Sequence, residues 1–196
     1  HQADVAFLDQ VVDRQAVARI ALGDVHDEAQ VRHDEVARRF EIADAPTVDL
    51  NGAGAGSDFS AAFVEDAGPV GTVDPTADIT YAAGTDLSKV VVVLTNPIDG
   101  AHEILSADTS VPSIDPSITA TFSNGVLTIA GSGPVPTADL VKVLRTVTYE
   151  NTSNAPTVTD RVIRFLAADG SLLFGTSAYA TVSVQAMNDA PVITAP

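Results

Sequence analysis

The stretch Asn188, Asp189, Ala190, Pro191, Val192, Ile193 has a counterpart near the other end of the chain in Ala43, Asp44, Ala45, Pro46, Thr47, Val48. The two Asp-Ala-Pro steps stand 145 positions apart. Proline fixes its own φ and aspartate favours turns, so each step is a stiff connector rather than the middle of a strand or helix. A chain that carries the same connector on both sides of a long patterned stretch reads as one unit of a longer array, bracketed by two copies of its own linker. The expectation is one closed module over residues 44–188, entered at one end and left at the other. Residues 189–196 then begin the linker to the next unit, and residues 1–43 form a separate N-terminal segment.

Between the linkers the pattern is that of an all-β chain. Phe59 to Val64, Val70 to Val73, Asp78 to Ala83, Ser88 to Thr95, His102 to Ser106, Ile118 to Phe122, Val126 to Ala130, Thr146 to Tyr149, Arg161 to Leu166 and Tyr179 to Gln185 are short apolar or alternating runs. Turn-forming residues separate them: Asp99-Gly100, Asn124-Gly125 and Asp169-Gly170. Seven to nine strands with such regular turns predict a Greek-key Ig-like β-sandwich. One short helix is expected where Thr137 can cap a turn through Asp139, Leu140, Val143 and Leu144, crossing between the sheets. Asp49 to Asp58 holds three glycines, but Ser57 falls where a dinucleotide fingerprint needs its third, so it reads as a flexible, solvated entry loop.

Charge and composition narrow the function. The net charge of −16 opposes phosphate-backbone binding, which needs Lys and Arg to displace counterions, so nucleic acid is excluded as a partner. The same surplus of carboxylates favours divalent cations. There is no Cys, hence no disulfide framework and no thiolate metal site. The longest aliphatic run, Val90 to Leu94, is far short of the roughly 18 residues of a membrane span, so direct membrane insertion is not expected.

Residues 1–43 are set apart by charge. Residues 1–44 carry 15 charged side chains, against 21 in the remaining 152 residues. Leu8, Val11, Val12, Val17, Ile20 and Ala21 recur at helical spacing, and Glu35 and Arg39 form a favourable i,i+4 pair, so a helix is predicted there. His26-Asp27-Glu28 and His33-Asp34-Glu35 repeat seven positions apart but match no zinc motif and read as a solvated charged face.

No catalytic centre is expected. His102-Glu103-Ile104-Leu105-Ser106 lacks the second histidine of a zincin. Ser132 lies between Gly131 and Gly133 without the spacing of a nucleophile elbow.

The module over residues 44–193 resembles the cadherin-like repeats found in tandem in very large bacterial adhesins and related secreted proteins. The resemblance rests on the terminal Asn188-Asp189-Ala190-Pro191 linker, on Arg161 to Gly170 followed by Ala180 to Val184, and on Leu140 to Tyr149 with Asn151 and Pro156. It implies an extracellular or cell-surface location, with the secretion signal outside this stretch. It implies a role in cell adhesion or as a stalk, with adjacent repeats of the same chain and a cell-surface or matrix ligand as partners.

It also implies calcium (Ca2+) between successive repeats. By match, Asn188 and Asp189 are linker ligands, Glu65 is the glutamate near the first strand with Asp66 beside it, and Asp86 faces the previous linker's Asp44. Ala186 stands where the fuller linker motif has Asp, and Ala190 replaces its last Asn. Fewer ligands imply a weak site, which extracellular modules tolerate. The alternative is a carbohydrate-binding accessory module, which needs an aromatic platform; this chain has no Trp and only Tyr81, Tyr149 and Tyr179 to supply one.

Overall fold

Val90, Val91, Val92 and Val93 stand in a row. Their β-branched side chains suit a pleated, buried surface, so the run extends. A computed structural model describes residues 45–189. In chain order its strands are β1 (Thr47–Asp49), β2 (Phe59–Val64), β3 (Val70–Gly71), β4 (Asp78–Thr80), β5 (Asp86–Leu94), β6 (Glu103–Ser106), β7 (Thr119–Ser123), β8 (Val126–Pro136), β9 (Thr148–Asn151), β10 (Arg161–Asp169) and β11 (Ala178–Gln185). The valine run is the middle of β5, which lies inside a six-stranded sheet of order β2-β11-β10-β5-β8-β7. A three-stranded sheet of order β3-β9-β6 and the pair β1-β4 complete the β structure of the described residues.

The fold is an all-β sandwich. Leu87, Val90, Val92 and Leu94 of β5 face the core with Ile163 and Phe165 of β10, Leu127 and Ile129 of β8, and Val182 and Val184 of β11. Each such side chain contributes about 1.5–3 kcal/mol by leaving water. Phe63 of β2 meets Tyr149 of β9 edge-on, with ring centroids 5.6 Å apart, which ties the small sheet to the large one.

The strands number eleven among the described residues, more than the seven to nine expected: the short runs at Val70 and Asp78 both pair, as β3 and β4, and β1 adds a strand that no run in the sequence pointed to. β8 also runs on past Ala130. Ala130 pairs with Lys89 and Val135 with Leu87, so Gly131 to Pro134 bulge out of the ladder and hide its continuation. The expected helix forms as α1 (Thr137–Leu144) and leads from the large sheet to the small one. Thr137 does not cap it: Pro136 occupies the cap position, and the Thr137 hydroxyl is buried without a partner. The entry loop is not wholly solvated either, since Leu50 is fully buried and its N–H donates to Ser57 O at 2.8 Å.

β2 runs parallel to β11, with Phe59 beside Ala180 and Val64 beside Gln185, so both strands start at one end of the sandwich and finish at the other. The chain enters at the first end: a Cβ on Gly175, in the β10–β11 loop, would fall 1.5 Å from Pro46 O. It leaves at the second, where Met187 N–H donates to Glu65, the residue after β2. These ends are termed the entry pole and the exit pole. No helix among the described residues is long and apolar enough to cross a membrane.

Candidate functional site

Glu65 is placed by the last pair of the β2–β11 ladder. Its N–H donates to Gln185 O at 2.9 Å, and its side chain turns under the departing chain until the residue is only 3% exposed. Carboxylate Oε2 accepts the Met187 N–H at 2.7 Å, whereas Oε1 is buried with no hydrogen-bond partner. A carboxylate removed from water costs several kcal/mol unless donors or a cation compensate it, and one amide covers only one of about four lone-pair positions. The free oxygen therefore calls for a cation or a further donor. Asp66 follows at φ 63°, a left-handed conformation that aspartate tolerates better than most residues, and Ala67 N–H closes the turn on Val64 O at 3.1 Å.

Four of the residues singled out from the sequence belong to this exit pole. Asp66 is exposed and lines a cavity of about 190 Å³ with Phe63, Gly68 and the polar run 150–154, so its walls are partly apolar and partly oxygen-bearing. Asn188 and Asp189 are exposed and directly follow Met187, the residue pinned to Glu65. Asp86 begins β5 at the opposite pole, where its Oδ1 accepts the Thr85 hydroxyl at 3.1 Å. Asp44, expected to face it, lies outside the described residues, as do the helix predicted within 1–42 and the two histidine triplets.

Among the described residues no three His, Asp or Glu side chains stand close enough to hold an ion by themselves. What the exit pole offers is a partial set of hard oxygen donors with one buried orphan, and that set fits calcium better than it fits zinc or copper.

Beneath this surface lies an ionic cluster that the sequence reading did not anticipate. Arg161, Glu103, Tyr149 and Asn151 are all buried. Arg161 Nε donates to Glu103 Oε1 and Nη2 to Asp99 Oδ2 at 2.6 Å, while Nη1 donates to the carbonyls of Thr157 and Thr159. Tyr149 Oη donates to Glu103 Oε1 at 2.8 Å, and Asp99 N–H donates to Glu103 Oε2 at 2.9 Å. Asp99 also accepts Asn151 Nδ2 at 2.7 Å and the Thr157 hydroxyl at 2.7 Å. Burial pulls Asp99 upward, but the Thr157 and Asn151 hydrogen bonds and the Arg161 charge outweigh it and hold this carboxyl below the usual range. Burial, together with the Glu103 charge, pushes the Tyr149 phenol well up.

The signal for this cluster was phase. Arg161 shares its face of β10 with Ile163 and Phe165, and Glu103 shares its face of β6 with Leu105, so both charges point where the core is.

Glu103 is thereby committed to the core, which leaves His102 beside it without a carboxylate partner from that residue; His102 Nδ1 lies 3.4 Å from Thr152 Oγ1. Ser132 sits in the β8 bulge, its N–H donating to Ser117 Oγ at 3.2 Å. No protein-family model matches the chain, and no curated protein matches it.

Proposed function

We propose that residues 45–189 are an extracellular repeat module of a large bacterial adhesin, serving in adhesion or as a stalk and joined to its neighbours by weak calcium binding at the junctions. The observation that carries this reading is Glu65. It is a buried carboxylate with one free oxygen, held against the backbone of the exit linker just before Asn188 and Asp189. A module standing alone supplies only part of the six to eight oxygens calcium takes. A following module, with Asp86 at its entry pole, supplies more. In-line entry and exit support the same reading, because stacked modules propagate a rod only when they are threaded end to end.

Glu65, Asp66, Asn188 and Asp189 would hold the ion from this side only once its arrival drew them together, since the three carboxylates do not converge in the lone module. The carbohydrate-binding alternative gains less support. Tyr149 is buried against Phe63 and only Tyr179 of the three tyrosines is exposed, so these rings form no platform.

A protein made of two linked copies tests the proposal. At one hundred times the dissociation constant, calcium stabilises by about 2.7 kcal/mol if it binds only the folded form. The melting temperature is expected to rise in millimolar Ca2+, to fall again with chelator, and to lose that response in Asp189→Ala. Indifference of the two-copy protein to calcium would leave the linker as a turn and refute the calcium junction.

A further inference from the structure

Two Asn-Gly steps occur in the chain, Asn51-Gly52 and Asn124-Gly125. Glycine has no side chain to shield its amide nitrogen, so in both steps that nitrogen has open access to Cγ of the asparagine before it. In an unfolded chain the two steps are chemically alike, and the fold sets them apart.

Asn51-Gly52 is tied down. The Gly52 N–H donates to Asp49 Oδ1 at 3.1 Å, and the same oxygen accepts the Asn51 N–H at 2.9 Å. A carboxylate so placed opposes loss of the Gly52 proton, because a second negative charge would form beside it. The Asn51 side chain is engaged as well. Its Nδ2 donates to Ala55 O at 3.0 Å and packs so closely on Gly54 that a Cβ there would fall 2.2 Å from it.

Asn124-Gly125 is the opposite case. It forms the two-residue turn between β7 and β8, with φ 51° at Asn124 and 77° at Gly125, the positive pair that a tight hairpin needs. Asn124 is exposed, and among the described residues neither its side chain nor the Gly125 N–H is hydrogen-bonded. Neither strand that it joins carries a carboxylate.

We infer that Asn124 is a modification site, at which the folded module deamidates through a cyclic imide while Asn51 is spared. Base in the solvent takes the Gly125 N–H proton, and the nitrogen pair forms a bond to Asn124 Cγ. The tetrahedral centre collapses with loss of Nδ2 as ammonia, which leaves a five-membered imide. Water then adds to one of the two ring carbonyls. At Cγ it breaks the Cγ–N bond and yields aspartate; at the backbone carbon it breaks the peptide C–N bond and yields isoaspartate. One water enters, one ammonia leaves and nothing is oxidised. Ring closure takes a local excursion of the backbone, which an exposed turn with few contacts makes readily. The Asn51 loop has to break its hydrogen bonds to Asp49 and Ala55 for the same excursion.

Isoaspartate carries the main chain through its methylene, so it adds one atom to a turn whose length sets the pairing of Ser123 with Val126 and Phe122 with Leu127. Gly125 O accepts the Leu94 N–H at 2.9 Å, which fastens the turn to β5, and β7 is the outer strand of the large sheet. The modified turn is expected to release the Leu94 N–H and to loosen β7. This chemistry depends neither on calcium nor on a neighbouring module.

The full chain, kept folded in mildly alkaline buffer with chelator, is sampled over time and digested for mass spectrometry with fragmentation that separates isoaspartate from aspartate. Conversion at Asn124 is expected to outrun that at Asn51 by at least about tenfold, since one charge-assisted hydrogen bond is worth that much. In urea the two rates are expected to converge. Asp49→Ala, with Asp49→Asn as the milder variant should the first fail to fold, is expected to speed conversion at Asn51. Equal rates in the folded chain, a faster Asn51, or an unchanged Asn124 under conditions that convert the unfolded chain would overturn the inference. An isoaspartate form whose Leu94 amide exchanges as slowly as in fresh protein would overturn the loosening of β7.

Discussion

Arg161→Met removes the guanidinium from the buried cluster and leaves its partners behind. The side chains of Arg161 and Glu103 are fully buried and that of Asp99 is 11% exposed, so water cannot replace the lost donors without opening the exit pole. Breaking a buried ion pair from one side costs about 3–5 kcal/mol, chiefly for the charge left uncompensated. At roughly 3 °C per kcal/mol for a unit of this size, the melting temperature is expected to fall by about 9–15 °C. Urea unfolding with a shared m-value is the assay. The double variant Arg161→Met, Glu103→Leu removes both charges and is expected to recover part of the loss, since a well-packed apolar pair can replace an ion pair at little cost. A loss below about 1 kcal/mol in the single variant, or strictly additive losses in the double, would refute the cluster as a coupled buried pair.

Because Asp99 is held below its ordinary value, its contribution to stability is present above the unfolded-state value and is lost as pH falls through the lower folded value. Stability is expected to be flat above about pH 5 and to decline below about pH 4, with Asp99→Asn flattening that slope in acid unfolding followed by circular dichroism; an unchanged slope would assign the acid transition elsewhere. Gly175→Ala places a methyl group where Pro46 O already sits, so it is expected to cost about 1–3 kcal/mol and to loosen β1, read by amide exchange at Thr47 to Asp49. Leu172→Gly relieves a left-handed backbone whose cost for a branched residue is about 1–2 kcal/mol, and is expected to raise or preserve stability in urea unfolding.

The strands were legible where one face is buried and the other is not. Asp78 to Thr80, Glu103 to Ser106 and Tyr179 to Gln185 alternate in sequence and lie in strands. β1 was hidden because three residues carry too short a period, and the end of β8 because Gly131 to Pro134 look like a loop and bulge like one.

At the exit pole, Glu65 was legible as a residue type near a strand end. Its burial was not, because that depends on β2 lying parallel to β11 and on Met187 crossing above it. The Arg161 cluster left a trace in the phase of two charges on apolar faces, but its third member, Asp99, comes from a connection whose path no periodicity fixes. Asp99-Gly100 read as a turn, and it is one: Gly100 has φ 61° while Asp99 closes the cluster.

Carbon-13 detection of the Glu65 carboxylate in a two-copy protein tests the central claim most directly. One version carries Glu65→Gln in the second copy, so that its single Glu65 signal reports the junction; the other carries it in the first, so that the signal reports the open end. With millimolar Ca2+ the junction carboxylate is expected to shift in a saturable way, while the open-end carboxylate moves only at much higher calcium. Equal, weak responses from both positions, or none from either, would contradict the assignment of Glu65 as the buried ligand of an inter-repeat ion.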